Sequence, residues 1–309
     1  MRPNVSVVIP CLNEEENVGP ISRSVAEVLE RAGVTFEIIF IDNASTDDTV
    51  PRVRALCAAD PRIRLIVNNR NYGQMRSPTH GIYQASGDAV IGMCCDFQDP
   101  PHLLGPFIDR WRAGSEIVLG VREAEENRLR VRLARSLGYG FMRRFADYPI
   151  IPDATGFGLY DRKVVDLLAS IREPEPFFRG MLVESGYRIE CIPYERPQRA
   201  RGASKNNFFR LLDFAISGFS GSSKYLLRVP IFLGLAAFVA GLILVVAGIA
   251  VAVAGEGWNW LIFGVMELHF GALLVFLGLT GDQVRLISER TRNAPLVVER
   301  ERVNFPTEA

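Results

Sequence analysis

The chain has 309 residues with 35 basic and 35 acidic side chains, so its formal net charge is zero. This balance argues against a general nucleic-acid-binding protein. The basic residues are 32 arginines and three lysines, and arginine suits bidentate recognition of phosphate. The five cysteines form no C-x-x-C pair, so we expect reduced thiols rather than a zinc site.

Short β-branched runs alternate with amphipathic segments through the first 120 residues. The predicted strands lie at 5–10, 37–42, 63–68, 89–94 and 116–120. The predicted helices lie between them, at 15–32, 46–58, 74–86 and 101–113. This alternation predicts an α/β fold in which a mostly parallel sheet carries helices on both faces.

The alternation ends after residue 120. Residues 128–146 are predicted to form a basic helix, and residues 153–162 a glycine-rich loop that leads into a helix at 163–171. A further strand is predicted at 186–193. Residues 206–227 are amphipathic and predict a helix along a membrane interface, with a helix packed on the soluble domain as the alternative.

Two long apolar segments follow, at 229–254 and 258–281. Each exceeds the roughly 20 residues that cross a bilayer core, so they predict a transmembrane hairpin, with a pair of buried core helices as the alternative. Basic residues flank the hairpin but are absent from its tip, which predicts a multi-pass inner-membrane protein with both termini cytoplasmic. Glu267 and His269 lie near mid-span and are predicted to make contacts between helices or subunits.

Polar clusters follow three of the predicted strands, at 13–15, 42–45 and 96–99. Because ligands bind beyond the carboxyl ends of strands in parallel sheets, these clusters predict a single binding site. The sequence has neither a G-x-G-x-x-G after the first strand nor a P-loop, which argues against those two nucleotide sites. Carboxylates beside a diphosphate normally require a divalent cation, here Mg²⁺ or Mn²⁺.

Five motifs occur in order: V-I-P-C-L-N-E-E-E-N at 8–17, I-D-N-A-S-T-D-D-T at 41–49, R-N-Y-G-Q at 70–74, C-D-F-Q-D-P-P at 95–101 and R-A-R-G-A-S-K at 199–205. Together with the two apolar segments they resemble the family 2 GT-A glycosyltransferases. Among these the chain is most similar to the dolichyl- and polyprenyl-phosphate sugar transferases, including the bacterial membrane-anchored glucosyl and aminoarabinose types.

The resemblance implies a domain organisation and an activity. A cytosolic GT-A nucleotide-sugar-binding domain would span 1–205, an amphipathic juxtamembrane helix 206–228, two transmembrane helices 229–281 and a cytosolic tail 282–309. The implied reaction is inverting transfer of a sugar from a nucleotide-sugar to polyprenyl (undecaprenyl) phosphate at the cytoplasmic membrane face. Association of copies through the hairpin is left open, and no nucleic-acid partner is expected.

The resemblance also implies roles for individual residues. The donor, UDP- or GDP-linked, would contact Pro10, Leu12, Glu14, Ile41, Asp42, Cys94, Cys95, Asp96, Gln98, Arg201 and Lys205. Asp96 and Gln98 would hold the cation. The acceptor phosphate would bind Arg122, Arg132, Ser136 and Ser204. The residues implied in catalysis are Asp96, Arg122 and Asp153.

A phosphomonoester has a second pKa of about 6, so the acceptor would already be a competent nucleophile near neutral pH. Arginines and the cation would offset the repulsion between the two anions. Asp153 would then be a positioning residue or a weak base, or simply an Asx-turn residue.

Several of these residues also have purely structural interpretations. Glu14 and Asp42 are compatible with helix N-terminal acids, and Asp99 with a helix cap before Pro100. The arginines at 128, 130, 132 and 135 cannot all face one ligand, so some are expected at a solvent- or lipid-facing surface.

Cys94 stands where the family usually has the first aspartate of an Asp-x-Asp-x-Gln motif. Hard cations prefer oxygen ligands, so this cysteine predicts weaker dependence on the cation. It also leaves open a nucleotide-sugar-binding homologue with lost or altered catalysis. A processive polysaccharide synthase is a further alternative, but its Q-x-x-R-W motif and additional spans are absent from the sequence.

Overall fold

A computed structural model describes residues 3–123, 151, 153–197 and 294–306, together with separate positions between 266 and 291. The strands in these ranges are β1 Val5–Cys11, β2 Phe36–Asp42, β3 Ile63–Asn68, β4 Ala89–Gly92, β5 Ile117–Arg122, β6 Ala154–Asp161, β7 Ile189–Tyr194 and β8 Glu299–Val303. The helices are α1 Val18–Arg31, α2 Thr49–Ala59, α3 Gly73–Gln84, α4 Leu104–Arg112, α5 Arg162–Ile171 and α6 Phe178–Glu184. A 3₁₀ turn at Pro101–Leu103 precedes α4.

The described strands form one sheet in the order β7-β5-β6-β4-β1-β2-β3-β8. Strands β6 and β8 run antiparallel to their neighbours, and the other six described strands share one direction. The carboxyl ends of those six strands therefore meet at one edge, where their loops form a common surface.

Helices cover both faces of the sheet. On one face, the apolar sides of α1, α2 and α4 pack against alternate residues of the central strands, including Val7, Phe40 and Leu65. On the other face, α3, α5 and α6 pack against the intervening residues, including Ile39 and Ile66. Both faces of the central strands are buried, which explains why these strands read as continuous apolar runs.

The alternation of strands and helices over the first 120 residues is confirmed, with element ends shifted by a few residues. Residues 153–162 differ from the prediction, because most of this segment forms strand β6 rather than a loop. Its glycines permit close pairing: a Cβ atom on Gly158 would lie 2.4 Å from the carbonyl oxygen of Val118 on β5. Helix α6 was not predicted from the sequence.

Strand β8 lies at the edge of this sheet. The sequence had instead predicted that residues 282–309 form a separate tail. The strand pairs antiparallel with β3. Arg54 of α2 binds Glu301 with both arms of its guanidinium, at 3.1 and 2.8 Å. Asn304 donates to the carbonyl oxygens of Cys57 and Ile63, each at 2.8 Å. Residues 294–306 are thus an integral part of the α/β unit.

The predicted localisation, a multi-pass inner-membrane protein with cytoplasmic termini, is contradicted. No helix in the described part of the chain is long and apolar enough to cross a bilayer. The longest helix with assigned ends, α1, has 14 residues and a length of about 21 Å, short of the roughly 30 Å hydrocarbon core. The segment 229–254 lies outside the described residues, as does 258–281 except for separate positions from 266 onward.

Glu299 is the most strongly perturbed carboxylate of the β8 segment. Burial alone would raise its pKa, but hydrogen bonds from His80, at 2.5 Å, and from Arg302 lower it to about 2, from an ordinary value near 4.5. A carboxylate whose pKa falls on folding stabilises the fold above its unfolded pKa, and that contribution is lost as the pH falls toward the folded value.

We therefore expect Glu299→Gln to lower the free energy of unfolding by about 1–3 kcal/mol at pH 7, with the difference from the unmodified protein vanishing near pH 2. Urea unfolding at pH 7, 4 and 2 measures this. Glu301→Gln is the matched control, because the Arg54–Glu301 pair is more exposed and should contribute about 1 kcal/mol or less. An equal loss of unfolding free energy in both variants at pH 7 would contradict the stabilising role of Glu299.

Candidate active site

The loops after β1 and β2 are joined side by side at the carboxyl edge of the sheet. The backbone N–H of Asn13 donates to Ser45 Oγ at 2.9 Å, and Asn13 Oδ1 accepts from the backbone of Thr46 at 2.8 Å. The backbone N–H of Glu14 donates to Thr49 Oγ1 at 2.8 Å. These bonds bring the polar clusters predicted at 13–15 and 42–45 together.

Asp42 ends β2 and is fully buried. Its Oδ2 accepts from the backbone N–H of Ser45 at 3.0 Å, whereas its Oδ1 has no hydrogen-bond partner among the described residues. Burial raises the pKa of Asp42 despite the bonds from Ser45. Because α2 begins only at Thr49, Asp42 does not cap that helix. Its second oxygen is a buried acceptor that lacks a partner in the described part of the chain.

Glu14 lies before α1 rather than in its first turn. Its Oε2 accepts from Asn17 Nδ2 at 2.6 Å, and α1 begins at Val18. Pro10 and Leu12, at the end of β1, are half-buried beside it. The donor-pocket residues predicted from β1 and β2 therefore share one edge.

Asn43 organises the loop that follows β3. Its Nδ2 donates to Asn71 Oδ1 at 2.9 Å and to the carbonyl oxygen of Gly73 at 3.1 Å. Its Oδ1 accepts from the backbone of Tyr72 at 2.8 Å and from Asn68 Nδ2 at 3.3 Å. A single buried amide thus holds the R-N-Y-G-Q motif against the end of β2.

The loop after β4 carries the candidate cation ligands. Asp96 is 6% exposed, and its Oδ1 accepts from the backbone N–H of Gln98 at 3.2 Å. The side-chain oxygen of Gln98 accepts a hydrogen bond from Arg196. Cys94 is exposed, whereas Cys95 is buried, and burial raises the pKa of the Cys95 thiol.

Asp99 joins the β4 loop to the end of β7. Its Oδ2 accepts from the backbone N–H of Cys94 at 2.9 Å, and its Oδ1 accepts from the Tyr194 hydroxyl at 3.1 Å. The 3₁₀ turn that follows has no side-chain cap. Asp99 therefore ties two loops together instead of capping a helix.

Arg122 and Asp153 are adjacent at the same edge. The backbone N–H of Arg122 donates to the carbonyl oxygen of Asp153 at 3.3 Å, and Arg122 Nε donates to the Tyr194 hydroxyl at 3.4 Å. Arg122 ends β5 and pairs in register with Tyr194 of β7. Two residues predicted to act in catalysis thus lie side by side.

Four residues of these loops adopt left-handed backbone conformations, with φ values of 58° at Asn13, 65° at Ala44, 62° at Phe97 and 59° at Asp153. Non-glycine residues adopt this conformation only when surrounding contacts maintain it, and such residues cluster at functional sites. All four lie at the carboxyl edge, the edge where the sequence predicted the site.

Five predicted site residues lie outside the described part of the chain: Arg132, Ser136, Arg201, Ser204 and Lys205. Conversely, no role was predicted from the sequence for Asn43, Tyr194 or Arg196. Asn43 follows Asp42 directly within a recognised polar cluster. Tyr194 and Arg196 gave no comparable signal, because their importance depends on contacts with residues almost 100 positions earlier in the sequence.

A divalent cation fits this site only with help from a substrate. Among the described residues no group of three acid, cysteine or histidine side chains could hold a metal ion. Asp96 and Gln98 offer oxygen ligands, while Cys94 offers sulfur. Mg²⁺ commonly binds one or two protein oxygens plus substrate phosphates and water, so Asp96 and Gln98 are a compatible pair once a diphosphate is present.

Comparison with known proteins identifies the family. The family model described as "Glycosyl transferase family 2" matches residues 6–168, which contain β1 from its second residue, β2 to β6 and the loops that follow β1 to β4. The chain belongs to glycosyl transferase family 2. It is accordingly a glycosyltransferase, and the mixed α/β sheet is consistent with the GT-A fold that the sequence motifs implied.

Relatives within the family match the chain over nearly its whole length. An uncharacterised glycosyltransferase of Synechocystis is 30% identical, covering 96% of this chain and 94% of that protein. The SfII prophage-derived bactoprenol glucosyl transferase of Shigella flexneri is 29% identical, covering 94% of this chain and 96% of that protein. The uncharacterised glycosyltransferase YkcC of Bacillus subtilis is 27% identical over 95% and 92%.

Among solved structures, the glucosyl-3-phosphoglycerate synthase of Mycobacterium tuberculosis in complex with Mn²⁺, UDP-glucose and phosphoglyceric acid has a TM-score of 0.49 and 18% identity. The likeness covers 71% of this chain and 78% of that chain. With this TM-score and identity, the comparison does not bear on the ligands of the present protein.

Removing the Asn43 amide should loosen the loop after β3. Asn43→Ala removes the acceptor of the Tyr72 backbone N–H and one of the two acceptors of Asn68 Nδ2, so the free energy of unfolding should fall by about 1–3 kcal/mol. Hydrogen exchange of the Tyr72 amide should also accelerate. Asn4→Ala is the control, because Asn4 also forms hydrogen bonds with a residue distant in sequence, Thr35, but is exposed. Its replacement should lower the free energy of unfolding by about 1 kcal/mol or less. An unchanged exchange rate at Tyr72 in Asn43→Ala would rule out this role for Asn43.

Proposed function

We propose that this family 2 glycosyltransferase transfers a hexose, with glucose the first candidate, from a UDP- or GDP-linked donor to a polyprenyl phosphate with inversion at the anomeric carbon. The observation that carries the proposal is the near full-length similarity to proteins named bactoprenol glucosyl transferase. The arrangement of carboxylates and arginines at one sheet edge supports it, because such a reaction brings two phosphate-bearing substrates together.

The nucleoside end of the donor is proposed to bind at the ends of β1 and β2. Asp42 presents a buried carboxylate oxygen without a partner among the described residues. A base N–H or a ribose hydroxyl would satisfy that oxygen, since an unpaired buried acceptor is costly. Ile41, fully buried directly before it, fixes the strand end from which Asp42 projects.

The diphosphate end is proposed to lie over the β4 loop. Asp96 and Gln98 would hold Mg²⁺ or Mn²⁺ there together with phosphate oxygens. A bound divalent cation would neutralise part of the diphosphate charge and so favour departure of the nucleoside diphosphate. The sulfur of Cys94 is a poorer ligand for a hard cation than a carboxylate oxygen, so the dependence of transfer on the cation should be weak.

The acceptor phosphate is proposed to bind at the end of β5. Arg122 is a donor whose position is fixed by Tyr194 and Asp153, and guanidinium groups bind phosphate oxygens strongly. One acceptor oxygen would attack the anomeric carbon while the bond from that carbon to the donor's β-phosphate oxygen breaks. Its electron pair leaves with the nucleoside diphosphate. Asp153 would orient the nucleophile, and no strong base is needed for a dianionic phosphate.

Cys94 also supports a second candidate, a protein that binds nucleotide-sugar without transferring it. Incubation with radiolabelled UDP- and GDP-sugars and undecaprenyl phosphate, followed by lipid extraction, distinguishes the two. Label in the lipid fraction supports transfer. Tight nucleotide-sugar binding with no labelled lipid for any donor would favour the second candidate.

Asp96→Asn should lower the rate of transfer by about 100-fold or more, because it removes the one carboxylate of the proposed cation pair. The rate of lipid labelling and the thermal unfolding midpoint should be measured together, since the variant is expected to stay folded. Asp88→Asn is the matched control, as Asp88 lies just before the amino end of the same strand, β4. Transfer at the unmodified rate in Asp96→Asn would remove Asp96 from the site.

Substitution of the acceptor arginines should affect one substrate more than the other. Arg122→Ala and Arg132→Ala should raise the KM for the lipid phosphate about 10- to 150-fold, the cost of losing a charge-assisted hydrogen bond, with a smaller change in the donor KM. Saturation curves for both substrates measure this. Arg128→Ala and Arg130→Ala are the comparison variants, and equal losses in all four would indicate diffuse attraction instead of a defined acceptor site.

A further inference from the structure

The loop that follows β7 lies directly against the candidate cation loop. Tyr194, the last residue of β7, is 5% exposed, and its hydroxyl donates to the buried carboxylate of Asp99 at 3.1 Å. The other oxygen of Asp99 accepts from the backbone of Cys94 at 2.9 Å. This pair of hydrogen bonds fixes the loop after β7 relative to the loop after β4.

Arg196 extends from this fixed point onto the cation loop. Its Nη2 donates to the side-chain oxygen of Gln98, one of the two proposed cation ligands. Its Nε is buried and has no hydrogen-bond partner among the described residues. Within the described ranges, this Nε is thus a buried donor that lacks an acceptor.

A buried guanidinium donor without an acceptor is costly, and an anionic ligand would remove that cost. The charge of the adjacent loop, which follows β4, also bears on the binding of an anion. Cys94 contributes a thiol to this loop, so Asp96 is the acidic group of the proposed cation pair. A site with fewer carboxylates has less need of a divalent cation, and a guanidinium supplies positive charge in its place.

We propose that Arg196 binds the donor's diphosphate, sharing Gln98 with the cation, and that Tyr194 is the residue that positions it. This inference rests on the proposed transfer reaction. As the bond between the anomeric carbon and the β-phosphate oxygen breaks, its electron pair adds negative charge to that phosphate. The N–H groups of Arg196 stabilise this charge on the departing nucleoside diphosphate.

Binding of product nucleotides tests this role without relying on turnover. Titration calorimetry compares UDP with UMP, and GDP with GMP, each with Mn²⁺ and with EDTA. Arg196→Gln should weaken binding of the diphosphate about tenfold or more and change binding of the monophosphate less than about threefold. The loss should be larger in EDTA, because the guanidinium is then the remaining positive charge at Gln98.

Three further variants make the test specific. Arg196→Lys keeps the charge and should restore most of the diphosphate affinity. Tyr194→Phe removes the hydroxyl that fixes the loop, and should reduce the preference for diphosphate over monophosphate by a smaller factor. Arg188→Gln is the matched control, because Arg188 lies just before the other end of β7 with its side chain 77% exposed, and it should leave both affinities unchanged.

The outcomes separate this inference from the proposed function. Equal losses for diphosphate and monophosphate, or none for either, in Arg196→Gln would overturn the role of Arg196 while transfer by the unmodified enzyme stands. If Arg196→Gln lowers the thermal unfolding midpoint, Arg196→Lys is compared with the unmodified protein instead. A lysine variant that shows no preference for diphosphate over monophosphate would overturn the role of Arg196. An unmodified protein that binds neither UDP nor GDP would refute the proposed function and this inference together.

Discussion

The loops at the carboxyl edge of the sheet carry backbone groups that no neighbouring strand can satisfy, and the side chains of adjacent loops satisfy them instead. Asn13 and Asn43 each reach across to another strand's loop and bond its backbone. Asp99 bonds the backbone of its own loop and the Tyr194 hydroxyl at the end of β7. Buried backbone groups without partners are rare because they cost free energy comparable to a lost hydrogen bond. The loops are therefore rigid because they depend on each other, and rigid loops can hold charged side chains in fixed positions.

This rigidity has an electrostatic consequence. Asp42 and Asp96 lie at the same edge of the sheet as Arg122 and Arg196, so side chains of both charges meet at one surface. Such a surface can bind phosphate groups and neutral polar groups together. The proposed transfer reaction needs such a surface, since the enzyme would bind two anions and stabilise the charge that one of them gains.

The sequence predicted the features that depend on local pattern. Period and composition located the strands and helices of the first 120 residues. The placement of Asp42 and Asp96 after strands predicted that both would lie at the carboxyl edge of the sheet, and they do. The sequence did not predict the features that depend on distant partners. The segment of β6 was predicted to be a loop because its glycines are compatible with a strand only next to the neighbours β4 and β5. Strand β8 is a short charged segment, and it is extended because it pairs with the edge of β3. The roles of Tyr194 and Arg196 likewise depend on their contacts with the loop after β4.

The pairing of β8 with β3 makes the α/β unit discontinuous along the chain. Residues 299–303 leave the ribosome more than 200 residues after β3, on the order of tens of seconds later at ordinary rates of synthesis. Until then β3 is an unpaired edge strand, which is a site for incorrect pairing with other chains. The loop after β3 also lacks the bond from Asn69 to Val298 during that interval. The loop after β3, which Asn43 holds against the end of β2, is therefore completed late in biosynthesis. Expression conditions that slow or interrupt translation would expose the nascent domain to aggregation.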